Sequence, residues 1–158
     1  MKKIFITLAT AGLLVTSAYA ADGGKKITRT TEVTYALQDH FESRFSGAKD
    51  VVWTINNNCQ KAAFTADGVK MTAFYSLQGD YLGVTRDATY AELADKAKQA
   101  IADKYKGYTV NQVIKYETLN EDVNFEETSY FVDLKNESNE LLVRVTPSSN
   151  VYFFQDVK

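Results

Sequence analysis

One histidine, one cysteine and one proline are spread through 158 residues, and each scarcity closes off a class of chemistry. A single imidazole and a single thiol cannot build the usual four-ligand zinc sites, a CxxC redox pair or a framework of disulfides. His40 stands between Asp39 and Phe41 in a stretch of helical period, where it reads as a surface residue, so Cys59 has no evident base and no role as a nucleophile. Only four arginines and a formal net charge of −2 leave no basic footprint for nucleic acid. Eight glycines and a single proline are too few for a collagenous or low-complexity chain, while 45% hydrophobic residues suffice for an ordinary core. The acidic residues fall in turns and on polar helix faces, away from the burial that would raise one carboxyl for hydrolytic work. These absences argue against an enzyme and call for no cofactor and no metal.

What is present begins with an address. Met1-Lys2-Lys3 is followed by the apolar run Ile4 to Val15 and by Ala18-Tyr19-Ala20, the layout of an export signal cleaved before Ala21. The run is shorter than the roughly 20 residues that span a bilayer, and no second such run follows, so the mature chain is expected to lack a membrane span. No cysteine adjoins the cleavage point to carry a lipid. Losing two lysines with residues 1–20 takes the net charge from −2 to −4. The expected location is the periplasm or the exterior, where an inert buried thiol and an intermolecular disulfide are both open to Cys59.

After a polar, flexible lead-in over 21–33, the chain turns periodic. Val33, Leu37, Phe41 and Phe45 recur every four residues, predicting a helix from Thr34 to Phe45 closed by Gly47. Alternating runs at 51–55, 61–65, 69–77 and 81–85 predict four strands, with Asp67-Gly68 as the clearest hairpin turn. The order then repeats. Thr89 and Glu92 form a capping box ahead of a helix that carries Ala94, Ala97, Ile101 and Tyr105 on one face. Strands follow at 110–117, 129–134, 140–146 and 151–154. Phe45-Ser46-Gly47 aligns with Tyr105-Lys106-Gly107 at a shift of 60, and Gly79-Asp80-Tyr81 with Ser149-Asn150-Val151 at a shift of 70. The extra ten residues fall near 119–128. Short connections exclude βαβ crossovers. The fold class expected is therefore α+β: two tandem α-β4 units, 34–86 and 87–158, in an antiparallel sheet of up to eight strands with the helices on one face.

These residues carry a family likeness. Phe45-Ser46-Gly47-Ala48-Lys49-Asp50-Val51-Val52-Trp53 resembles the opening of PepSY-like domains related to the β-lactamase inhibitor protein. So do Phe64 to Gly68, Ala73-Phe74-Tyr75, Gly79 to Gly83 and Tyr105 to Thr109. Ser46 and Ala94 depart from prolines common in that family, at helix boundaries that Gly47 and Thr89 already mark. The resemblance covers 34–154 and implies a small exported protein without a cofactor, its fold shared with inhibitors of other proteins; fold alone does not carry that activity over.

Strand alternation sorts side chains onto two faces. Val51, Trp53, Ile55, Met71, Ala73, Tyr75, Val110, Ile114, Tyr130, Val132, Val143 and Val145 are expected under the helices. The uncovered face then holds Thr54, Lys70, Thr72, Phe74, Asn111, Lys115, Phe131, Asp133, Arg144 and Tyr152. Aromatic residues and arginine among small polar groups have the composition of a protein-binding hot spot, while the same pairs also stabilise a bare sheet. The candidate site is Lys70, Phe74, Phe131, Arg144 and Tyr152, and the expected function is non-enzymatic binding of another exported protein or peptide. The alternative is a small-ligand or metal response through Glu121, Asp122, Glu126 and Glu127 in an acidic loop at 119–128, whose spacing fits no EF-hand.

Overall fold

The computed structural model describes residues 33–120 and 125–157, with side chains described through Thr118 and from Glu127. The expected leader, 1–20, and all of the lead-in except Val33 lie outside these residues, as do four positions of the acidic segment. Helix α1 (Tyr35–Arg44) precedes strands β1 (Lys49–Ile55), β2 (Gln60–Ala66), β3 (Val69–Tyr75) and β4 (Tyr81–Ala88). A single 3₁₀ turn (Tyr90–Glu92) then leads to α2 (Asp95–Lys104) and strands β5 (Thr109–Asn120), β6 (Phe125–Lys135), β7 (Glu140–Val145) and β8 (Val151–Asp156). All eight strands form one antiparallel meander in chain order, β1 to β8. The architecture is thus α+β, two α-β4 units in tandem.

Both helices lie on the same side of the sheet. Leu37 and Phe41 of α1 pack on Ala62, Phe64, Ala73, Tyr75 and Val84. Ala97 and Ile101 of α2, with Leu93, pack on Val113, Val132, Leu134, Leu141, Val143 and Val145. Val84 and Ala88 stand on one face of β4, the first in the α1 core and the second against the α2 core, so that strand joins the two. Each large apolar side chain buried this way contributes roughly 1.5–3 kcal/mol.

Local chemistry sets the element ends. The Thr34 hydroxyl accepts the Leu37 N–H at 3.3 Å and caps α1. Asp67 and Gly68 both take positive φ, 51° and 79°, in the β2–β3 turn, as a two-residue hairpin of right-handed strands requires. The β3–β4 and β7–β8 turns share one geometry seventy residues apart. The Gly79 N–H meets the Ser76 carbonyl at 3.1 Å and the Ser149 N–H meets that of Thr146 at 2.8 Å, both from positive φ.

Three expectations are corrected. Thr89 and Glu92 do form a capping box, but on the 3₁₀ turn; α2 starts after Ala94, whose exposed position leaves Leu93 to fill the core. The segment expected as an acidic loop at 119–128 is strand at both ends, with Leu119 opposite Glu126 and Asn120 opposite Phe125. Ile114 leaves the helix side, because a bulge between Val110 and Gln112 inserts Asn111 and shifts the parity of β5, turning Val113 inward. Val51, in the bulge of β1, does keep to the α1 side, lining a hollow with Phe41 and Trp53, while 38% exposed.

Candidate binding face

The side of the sheet opposite the helices has no covering layer among the described residues. Strand register places Ile114 of β5 beside Phe131 of β6, Phe131 beside Arg144 of β7, and Arg144 beside Tyr152 of β8. Three of the five candidate residues therefore form one cross-strand row. Tyr152 is 55% exposed, Arg144 is exposed and Phe131 is half-buried. The Phe131 ring stacks edge-on against Phe154 at 5.0 Å and against Tyr116 at 6.4 Å, within the range where aromatic pairs attract. Phe154 reaches this face because β8 bulges between its partners to Leu142 and Val143, a register shift that the 151–154 strand pattern did not disclose.

Tyr116 links the row to the rest of the face. Its hydroxyl donates to the Leu82 carbonyl, which also accepts from Thr118 at 2.9 Å. Burial pushes the Tyr116 hydroxyl pKa up, against the pull of its Thr118 hydrogen bond and the Arg144 charge. Arg144 itself donates to the Ser129 hydroxyl at 3.2 Å, which turns the guanidinium from β7 toward β6.

The other two candidates behave differently. Phe74 pairs with Gly83 and is 8% exposed, with the Lys61 ammonium 5.5 Å above its ring. It is a floor of the face, not a contact surface. Lys70 is exposed but lies at the far end of β3, opposite Thr65, outside the aromatic row. Tyr116, Phe154 and Ile114 were not among the expected residues. Gly83 was the available signal, since a glycine inside a strand marks the close approach of a neighbour, here the Tyr116 ring.

The expectation of fully solvated acids fails at one place. Asp133 is 5% exposed and Glu140 7%. Asn111 Nδ2 donates to Asp133 Oδ2 at 2.7 Å, whereas Oδ1 is buried with no partner among the described residues. Burial and the nearby Glu140 charge raise the Asp133 carboxyl pKa, and the Asn111 bond opposes them. Among the described residues Glu140 has only Lys135, at 3.9 Å, as a counter-ion. Among the described residues no three His, Cys, Asp or Glu gather in a metal-holding group. Lys115, expected on this face, turns to the helix side with Arg86 and pairs with Glu117. Two open hollows, of about 530 and 400 Å³, lie beside α1 and touch none of the aromatic row.

No protein-family model matches the chain, and no curated protein does. Solved structures do. A DUF2874 family protein of Bacteroides uniformis superposes with a TM-score of 0.69 at 16% identity, over 80% of this chain and 91% of that one. A BLIP-like protein of Bacteroides fragilis gives 0.66 at 17%, over 81% and 90%. A protein of Bacteroides eggerthii provisionally assigned to the periplasm gives 0.68 at 13%, over 80% and 90%. At these identities the likeness is one of fold, and the chain has the BLIP-like fold.

Proposed function

We propose that the protein is an exported, non-enzymatic module that binds another protein or peptide through the uncovered sheet face. The observation that carries this reading is the row Phe131–Arg144–Tyr152 with Phe154 beside it, aromatic and arginine side chains held in fixed register. Such residues dominate binding energy where they cluster. Size is compatible. Eight strands at about 4.8 Å and six residues at about 3.3 Å give a face of roughly 750 Å², near the 800 Å² per partner of a standard interface. Delivery by residues 1–20 and an origin by duplication of 34–86 and 87–158 belong to the same proposal, supported by the leader pattern and the matching turns.

The two sheet edges are poorer sites. β1 and β8 both carry bulges, which twist an edge away from added strands. The face is tested by a photo-crosslinking amino acid placed at Tyr152 in living cells, with one at Gln99 on the outer side of α2 as control. A discrete adduct from position 152 that is absent from position 99 is expected. Identical adducts from both, or none from 152, would refute the reading.

A further inference from the structure

Resting on that reading, we infer that the partner presents an acidic protein surface. Its carboxylates lie over the lysines of β1–β3, and its apolar groups lie on the aromatic row of β5–β8. Lys49 and Lys70 both sit opposite Thr65, one on each side, so they stand two strand spacings apart, about 10 Å. Lys61 lies between Thr54 and Phe74 on the same face, farther along β2. The registered positions of this face in β1–β3 are Lys49, Val52, Thr54, Lys61, Ala63, Thr65, Lys70, Thr72 and Phe74, three cations and no carboxylate. Asp50 sits in the β1 bulge, out of register.

The carboxylates of the face, Asp87, Glu127, Asp133 and Glu140, all belong to β4–β7. Asp87 accepts from Gln112 at 2.9 Å, and Asp133 and Glu140 are buried. Among the described residues none of the three lysines has an ion pair. Among the described residues a net acidic chain thus carries unpaired positive charge on the β1–β3 part of its uncovered sheet face, beside the aromatic row. Unneutralised charge at the rim of an interface steers a partner of opposite sign and selects against others.

Displayed random twelve-residue peptides test this, because twelve extended residues reach about 40 Å and β1 to β8 spans about 34 Å. The target is the protein expressed from its full sequence and immobilised. Selected peptides are expected to be enriched in Asp and Glu and to bind at least about tenfold more weakly to the Lys49→Glu/Lys70→Glu variant, whose lysines are exposed and whose melting is expected to match wild type. Peptides with no acidic bias that are still lost on Tyr152→Ala/Phe154→Ala would overturn the acidic partner and leave the face standing. Acidic peptides indifferent to the lysine variant would overturn the charge assignment. No enrichment over blank support would overturn both readings, and a dimer in sedimentation that the lysine variant dissolves would replace the acidic partner by a second copy.

Discussion

The ring of Tyr116 occupies the space in which a side chain at position 83 would stand. A Cβ there would also lie 2.7 Å from the Glu117 carbonyl oxygen, and Gly83 has a φ of 145°. Glycine is therefore required by both backbone and neighbour. Gly83→Ala is expected to cost about 2–4 kcal/mol, from overpacking and the disfavoured φ together. A chemical-denaturation series with Gly83→Ala, Tyr116→Ala and the double variant checks it: the double should cost less than the sum of the singles, by about 0.5–3 kcal/mol. Strict additivity would remove the steric explanation.

Asp133 makes the fold respond to pH in an unusual direction. Its carboxyl pKa is raised in the folded state by burial and by Glu140, so the folded protein binds this proton more tightly than the unfolded chain does. The contribution is complete below the unfolded value, near pH 4, and is lost as pH rises through the folded one. Asp133→Asn keeps an oxygen for the Asn111 amide and removes the charge. Melting curves at pH 4 and 7 should show a gain in Tm for the variant at pH 7 that shrinks at pH 4.

Glu92 works with the opposite sign. Its carboxylate takes the Arg86 guanidinium at 2.7 Å and the Thr89 N–H at 2.9 Å, and these bonds lower its pKa. That support is present above the unfolded pKa and disappears as acid protonates the group. Glu92→Ala should cost about 1 kcal/mol at pH 7, the typical loss of a helix-terminal cap, and progressively less as pH falls below the usual glutamate range and through the lowered folded pKa.

Tyr75 is a large, fully buried side chain whose hydroxyl has no hydrogen-bond partner among the described residues. Burial, with the neighbouring Tyr81, pushes its pKa to about 12. Tyr75→Phe keeps the ring contacts with Trp53, Tyr81 and His40 and removes an unsatisfied polar atom, so it should stabilise the protein by about 1 kcal/mol. Denaturant midpoints compare the two. A loss of stability would mean that the hydroxyl has a partner, such as bound water.

Phe74 and Tyr152 separate stability from binding. Phe74→Ala should destabilise by about 3–5 kcal/mol, because its ring is buried. Tyr152→Ala, on an exposed edge strand, should stay within about 1 kcal/mol of wild type. Thermal melts of the two variants decide this, and only Tyr152→Ala is a clean probe of the face.

Periodicity in four-residue steps named the buried residues Leu37, Phe41, Ala97 and Ile101 because a helix samples one neighbour along its length. Turn chemistry at Asp67-Gly68 and Gly79 located hairpins for the same local reason. Phe131, Arg144 and Tyr152 were legible as one face because strand parity is local within each strand. Parity failed where a strand takes in an extra residue: Asn111 turned Ile114 outward, and the β8 bulge brought Phe154 beside Phe131. A bulge depends on what the partner strand offers, which no single run of residues records.

The sequence alone determined the α-β4 order, the antiparallel connections and the two helix stripes, since each depends on neighbours a few positions away. Tertiary structure alone decided that Phe74 is floor and not surface, that Asp133 and Glu140 lose water, and that three lysines share the β1–β3 part of the face, where no carboxylate among the described residues stands in register. Those outcomes depend on side chains from strands tens of residues apart, and burial and charge balance are properties of the assembled sheet.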